Sequence, residues 1–163
     1  MSEVYLPPER PVFEEDRTMI FLAGSIEMGA APDWQKTVSD QLADKNFSIM
    51  NPRRDDWDSS WVQDISHPQF NEQVNWELDY ISVSDVVAFY FDPETKAPIT
   101  LMELGYVAGL MTNPEAVIDG INAVVCCPPG YWRRSNVQII CKRHNILLVD
   151  TLDELVEALR QLR

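Results

Sequence analysis

Asp85–Pro114 reads DVVAFYFDPETKAPITLMELGYVAGLMTNP. Its first part, Asp85–Phe91, is a short apolar run closed by a Pro-containing loop, the form of a strand buried on both faces. Its second part, Ala97–Pro114, contains one charge, Glu103. Leu101, Met102, Leu104, Val107, Ala108, Leu110 and Met111 leave no polar face, so the pattern predicts a helix over Thr100–Met111 buried nearly all round. An isolated carboxylate there is costly without a partner, a proton or a chemical task. Two readings of Glu103 stand at this point. Thr100-x-x-Glu103 has the form of a capping box. Alternatively, a carboxylate in the first turn sits in the positive end of the helix field, stays ionised and suits a nucleophile.

Outward from this stretch, strands and helices alternate. Met19–Ala23 reads as a strand and Asp33–Lys45 as a helix; Phe47–Met50 is a short strand and Gln69–Ser82 a helix. Beyond the central stretch come a strand at 121–127, a helix at 136–143, a strand at 146–149 and a final amphipathic helix at 152–162. Thr151-x-x-Glu154 forms the capping box of that last helix. Residues 1–17 read as an extended, Pro-rich arm ahead of a single domain spanning 18–163. Short apolar strands alternating with helices predict an α/β fold, a flavodoxin-like, doubly wound sheet of five parallel strands in the order 2-1-3-4-5. Its ligand crevice lies beyond the C-terminal ends of the first and third strands.

Composition narrows the function. The 163 residues carry a formal charge of −13, with 26 acids against 13 Lys plus Arg. That argues against sequence-independent binding to a nucleic-acid backbone or an anionic membrane. The apolar runs are too short to span a bilayer, and the acidic, Pro-rich N-terminus does not have the form of a secretory signal. Cys126, Cys127 and Cys141 show neither zinc-like nor redox-like spacing; they read as core residues of a protein in the reduced cytoplasm. His67 and His144 lack metal-ligand spacing and read as structural.

Several residues are candidates for chemistry. After the first strand comes AGSIEMG, without the dinucleotide or P-loop pattern. Gly24, Ser25 and Ile26 offer backbone N–H groups and a hydroxyl to a sugar or phosphate, although such a turn is commonplace and Glu27 disfavours phosphate. Asp92 and Glu94 follow the third strand, either as site residues or as ordinary loop acids. In the helix Gln69–Ser82, Phe70, Val74, Leu78 and Ile81 form a stripe. At ~100° per residue, Glu77 falls within or beside it and Asp79 on the opposite side. Glu77 is therefore a site candidate, unless it reaches past the stripe to a lysine or water. NPRRDDWDSSW places Arg53, Arg54, Trp57 and Trp61 in one loop. The indoles are suited to stacking on a planar base, or to covering the core edge or a subunit contact.

These residues resemble the nucleoside 2-deoxyribosyltransferase superfamily over Ile20 to about Val149. IFLAGSI is similar to the first-strand motif, especially the C-G-S-I-R form of the related 2′-deoxynucleoside 5′-monophosphate N-glycosidases. ELDYISVSDVVAFYFDP resembles D-L-x-x-I-x-x-A-D with its following strand, and TLMELGYVAG resembles T-x-x-E-L-G-x-A. The resemblance implies that Glu103 is the nucleophile attacking C1′ of the sugar. It implies that Glu77, here Glu where Asp is usual, binds the deoxyribose and orients the nucleophile. Ser25 matches the position handling the 5′ end of the substrate, and Glu27 in place of Arg implies a free 5′-hydroxyl. Ala97-Pro98 stands where many transferases carry a base-contacting Asp, with Asp92 and Glu94 as possible substitutes.

The implied activity is transfer of 2-deoxyribose between nucleobases through a glycosyl ester. The partners are then a deoxynucleoside and a free base, without a metal or redox cofactor. The alternatives are a hydrolase of deoxynucleosides or their monophosphates, and a non-catalytic nucleoside-binding module. Trp57, Trp61 and Trp132 together with the Pro-rich arm, and the family's habit of completing its sites across subunits, add the expectation of a homo-oligomer.

Overall fold

The computed structural model describes residues 1–26, 31–56, 58, 60–112 and 122–162. Trp57 and Glu27 lie outside the described residues. The elements in chain order are β1 (Glu3–Tyr5), β2 (Thr18–Gly24), α1 (Trp34–Gln41), β3 (Phe47–Met50), α2 (Pro68–Val83), β4 (Val86–Tyr90), α3 (Pro98–Met111), β5 (Asn122–Cys126), α4 (Arg134–Arg143), β6 (Leu147–Val149) and α5 (Leu152–Arg160). The sheet is parallel, with strand order β1-β3-β2-β4-β5-β6.

The strands that follow residue 17 keep the expected order; the sheet has six strands rather than five. The added strand comes from the N-terminal arm. Glu3, Val4 and Tyr5 pair with Ser48, Ile49 and Met50 and so occupy the free edge of β3. The Trp76 indole N–H donates to the Glu9 carbonyl at 2.7 Å, and Arg10 pairs with Asp79 at 3.1 Å. The arm thus runs from the sheet edge onto α2.

Alternation along the strands divides the core in two. Phe21, Ala23, Val87, Phe89, Phe91 and Val125 pack with Trp76, Leu104, Val107 and Val137 beneath α2, α3 and α4. Ile20, Leu22, Val86, Ala88, Tyr90 and Val124 pack with Trp34, Val38, Leu155 and Leu159 beneath α1 and α5. Cys126, Cys127 and Cys141 are buried free thiols within these layers. The Thr151–Glu154 capping box forms as expected.

Two helix readings change. The buried side of α2 carries Gln73, Trp76, Tyr80 and Ile81, whereas Leu78 is exposed. The polar Gln73 lies inside because its amide finds partners there, which an apolar stripe does not register. Helix α3 is not buried all round: Ile99, Met102 and Tyr106 are 56%, 58% and 41% exposed. Leu104, Val107 and Ala108 fill the inner face, and the outer face is apolar and exposed.

At the end of β2, Gly24 is needed for close approach. A Cβ there would stand 2.5 Å from the Trp34 ring and 2.6 Å from the Tyr90 carbonyl oxygen. Gly24→Ala must displace a buried indole or open the β2–β4 pairing. We expect a destabilisation of about 2–3 kcal/mol, read as a thermal midpoint lowered by about 5–10 °C in a calorimetric comparison with wild type.

Candidate active site

Among the described candidates, Ser25, Arg53 and Asp92 follow the C-terminal ends of β2, β3 and β4. Ser25 follows β2, and its backbone N–H donates to the Tyr90 carbonyl at 3.1 Å. Its hydroxyl joins a closed ring of hydrogen bonds. Asp92 N–H donates to Ser25 Oγ at 3.1 Å, and Thr95 Oγ1 donates to the Asp92 carbonyl at 2.9 Å. The Ser25 hydroxyl and Thr95 Oγ1 are 2.6 Å apart, so with the Thr95 proton committed, Ser25 is the donor. Ser25 therefore retains an acceptor lone pair, but its proton is engaged.

Asp92 is buried, and its Oδ1 accepts the Glu94 N–H at 2.8 Å in a tight turn. Burial, with the Asp92 charge beside it, pushes the Tyr90 hydroxyl up to about 12. Glu94 itself is exposed, and Ile26 is half-buried. The Arg53 guanidinium donates to the Pro32 carbonyl at 3.0 Å and the Ala31 carbonyl at 2.9 Å, tying the chain after β3 to the segment leading into α1. Those bonds give Arg53 a place in the frame of the crevice. Arg54 stacks over Trp61 at 5.1 Å from the ring centroid.

Helices α2 and α3 each carry a carboxyl group, Glu77 and Glu103, and the charge of the first acts on the second. Glu103 is 7% exposed. Among the described residues no hydrogen bond reaches its carboxyl. The capping-box reading fails because the helix begins at Pro98, with Ala97 at the cap, which places Thr100 and Glu103 inside it. Glu103 then stands in the second turn, beyond the strongest part of the helix field. The expectation that the field keeps it ionised is overturned with it: burial first, and then the Glu77 charge, raises its pKa well above the usual carboxylate range.

Glu77 is half-buried, and burial raises its pKa to about 7, against the opposing effect of a hydrogen bond from Gln73. Gln73 Nε2 donates to Glu77 Oε1 at 2.7 Å and to the Pro52 carbonyl at 3.0 Å. The structure thus brings Glu103 and Glu77 within electrostatic reach of each other and joins Ser25 to Asp92. Sequence reasoning missed Gln73 and Thr95. The signal for Gln73 was its position one helical turn before Glu77; for Thr95 it was a hydroxyl three residues after Asp92, where it can close a turn.

The loops of Ser25 and Asp92 stand at the switch point of a parallel α/β sheet, where ligands of such folds bind, and paired buried carboxyls are suited to glycosidic chemistry. Residues 17–131 match the family described as nucleoside 2-deoxyribosyltransferase like, and the chain belongs to that family. No functionally curated protein matches the sequence. Among solved structures, the chain is similar to a conserved protein from Enterococcus faecalis V583, with a TM-score of 0.60 and 15% identity over 89% of this chain and 98% of that one. At that identity the likeness shows the fold. Among the described residues no helix is long and apolar enough to cross a membrane, and no cluster of His, Cys, Asp and Glu is placed to hold a metal.

The raised carboxyls give a signed pH dependence. An unfolded chain releases these protons near the ordinary carboxylate range, whereas the fold keeps them until about neutral pH or above. Between those limits the native state binds more protons, so this pair lowers stability as pH rises. Glu103→Gln removes the cost of ionising a buried group. Its thermal midpoint should exceed wild type at pH 8, with the difference shrinking towards pH 4; a gain that is largest at acidic pH contradicts this origin.

Proposed function

We propose that this protein transfers 2-deoxyribose between nucleobases through a covalent ester on Glu103. The supporting observation is the buried Glu103–Glu77 pair over the C-terminal ends of the central strands. Burial raises both pKa values, so the pair keeps a proton more readily than exposed carboxyls do. The reaction needs one carboxylate oxygen and one proton. The oxygen bonds to C1′ as the C1′–N bond breaks; the bond's electron pair leaves with the base, which takes the proton. The nitrogen of an incoming base then attacks C1′, its N–H proton returns to the carboxyl pair, and the C1′–O bond breaks with its electrons on the Glu103 carboxylate. Two displacements retain the anomeric configuration.

Glu77 orients the sugar and the nucleophile in this reading. Ser25, with its remaining lone pair, and the backbone around Gly24 and Ile26 lie at the 5′ end, and Asp92 and Glu94 lie towards the base. Arg53 lies in the segment after β3, and Trp57, four residues further along the sequence, is the candidate for stacking on the base. The exposed Ile99, Met102 and Tyr106 face, with Trp132 also exposed, supports self-association as a homo-oligomer. Light scattering at micromolar concentration tests this, and a monomer refutes it.

A 2-fluoro-2-deoxynucleoside tests the path. Fluorine destabilises the oxocarbenium-like state and slows ester breakdown, so intact-protein mass should rise by one fluorosugar and peptide mapping should place it on Glu103. Free base should discharge the label into a new nucleoside, whereas efficient discharge by water identifies a hydrolase. Glu103→Ala should lose base release by at least about a thousandfold. Labelling of another carboxylate, or an inverted product, overturns the reading. Deoxynucleosides should also surpass ribonucleosides in kcat/KM; equal values count against a deoxyribosyl site.

A further inference from the structure

Gln73 is a buried amide whose donors and acceptor are treated unequally. Its nitrogen reaches the Pro52 carbonyl at 3.0 Å and Glu77 Oε1 at 2.7 Å. Its own carbonyl oxygen is buried with no hydrogen-bond partner among the described residues. The orientation is determined by these contacts, because turning the amide over would set an oxygen against a carbonyl and a carboxylate. An unpaired buried acceptor is unfavourable, so the contribution of this side chain lies in its two donated bonds. One anchors it to the chain leaving β3, where the Arg53 N–H also donates to Asn51 Oδ1 at 2.9 Å. The other grips a carboxylate.

We propose that Gln73 is the positioning residue of the carboxyl pair, holding one oxygen of Glu77 against an anchor on Pro52 and thereby fixing where the other oxygen faces. The assignment rests on the reading of Glu77 and Glu103 as the site. It also makes the two carboxyls unequal. Glu77 receives a neutral donor from its own helix, and the ionisable group that interacts with it is Glu103 from α3. Glu103 receives no such bond from a described residue. A hydrogen bond to the ionised form favours that form, so Glu77 ionises first in the unliganded protein, and Glu103 gives up its proton before it acts as the nucleophile. Without Gln73 the order is no longer enforced, and Glu77 is free to turn.

The test uses the full chain, with carbon-13 at the glutamate side-chain carboxyls and no ligand present. Resonances are assigned by their loss in Glu77→Gln and Glu103→Gln. In wild type Glu77 should titrate below Glu103, and in Gln73→Met its midpoint should rise by about one pH unit. A reversed order in wild type, or an unmoved midpoint in a folded Gln73→Met, overturns the proposal; the wild-type order decides it even where the variant does not fold. In turnover, Gln73→Met should lower kcat by roughly ten- to a hundredfold, leave KM within about threefold and shift the acid limb of the pH profile upward. A lowered kcat with an unmoved limb identifies a merely structural amide. The titration does not depend on activity, so an inactive wild type with the expected midpoints removes the deoxyribosyl reading and leaves the role of Gln73 standing.

Discussion

The ring of hydrogen bonds among Ser25, Thr95 and Asp92 joins the chain leaving β2 to the chain leaving β4, and the position of Glu103 follows from it. Each bond compensates a polar group that would otherwise be buried unpaired, so loss of any member leaves its neighbours unsatisfied. Just beyond, the Lys96 carbonyl accepts both the Tyr131 hydroxyl at 2.6 Å and the Trp132 indole N–H at 3.0 Å. Ala97 then adopts a left-handed conformation, φ 44°, which is unfavourable for a residue with a Cβ. The contacts on either side hold it there, and Pro98, pre-set for the first turn of a helix, starts α3. The direction of α3, and with it the carboxyl of Glu103, is thus set by polar contacts around a strained residue rather than by helix propensity.

Burying two carboxyls close together opposes folding at neutral pH, and the chain supports them with a layer of large apolar side chains. Phe21, Phe89, Phe91, Trp76 and Leu104 are almost wholly excluded from solvent on the same side of the sheet. That layer does two things at once. It supplies the hydrophobic stabilisation that lets an unfavourable site persist, and it lowers the local polarity that raises the carboxyl pKa values. A site of this kind sits at the expense of stability, as functional sites commonly do.

The strand–helix alternation was legible because strands buried on both faces appear as unbroken apolar runs, as in Asp85–Phe91. Residues 3–5 gave no such signal: an edge strand of this length shows no clear period, and its place depends on the unpaired edge of β3. Glu103 was visible as a lone charge in an apolar segment, yet its capping-box spacing was misleading. The same spacing at Thr151–Glu154 is a real box. The difference lies upstream, where Pro98 begins α3 early and moves Thr100 off the cap. Glu77 emerged from helical phase although the apolar stripe was drawn one position off, since Gln73 rather than Val74 turns inward. Polar residues that face the core for the sake of hydrogen bonds are invisible to a hydrophobic pattern. Gln73 and Thr95 were missed for that reason.

The two carboxyls reach the crevice by independent routes. Helix α3 is fixed by the Ser25–Asp92–Thr95 ring and the Lys96 clamp. Helix α2 is fixed by Gln73 on Pro52, by Trp76 on the Glu9 carbonyl and by Arg10 on Asp79. Of the last two, the exposed ion pair contributes little, whereas the indole N–H belongs to a wholly buried ring packed against Phe21 and Tyr80. The N-terminal arm therefore bears on the site through Trp76, the residue adjacent to Glu77. The separation of the carboxyls is consequently a property of the whole sheet edge: β1 holds the arm, the arm holds α2, and α2 presents Glu77 towards a helix placed by the loops after β2 and β4.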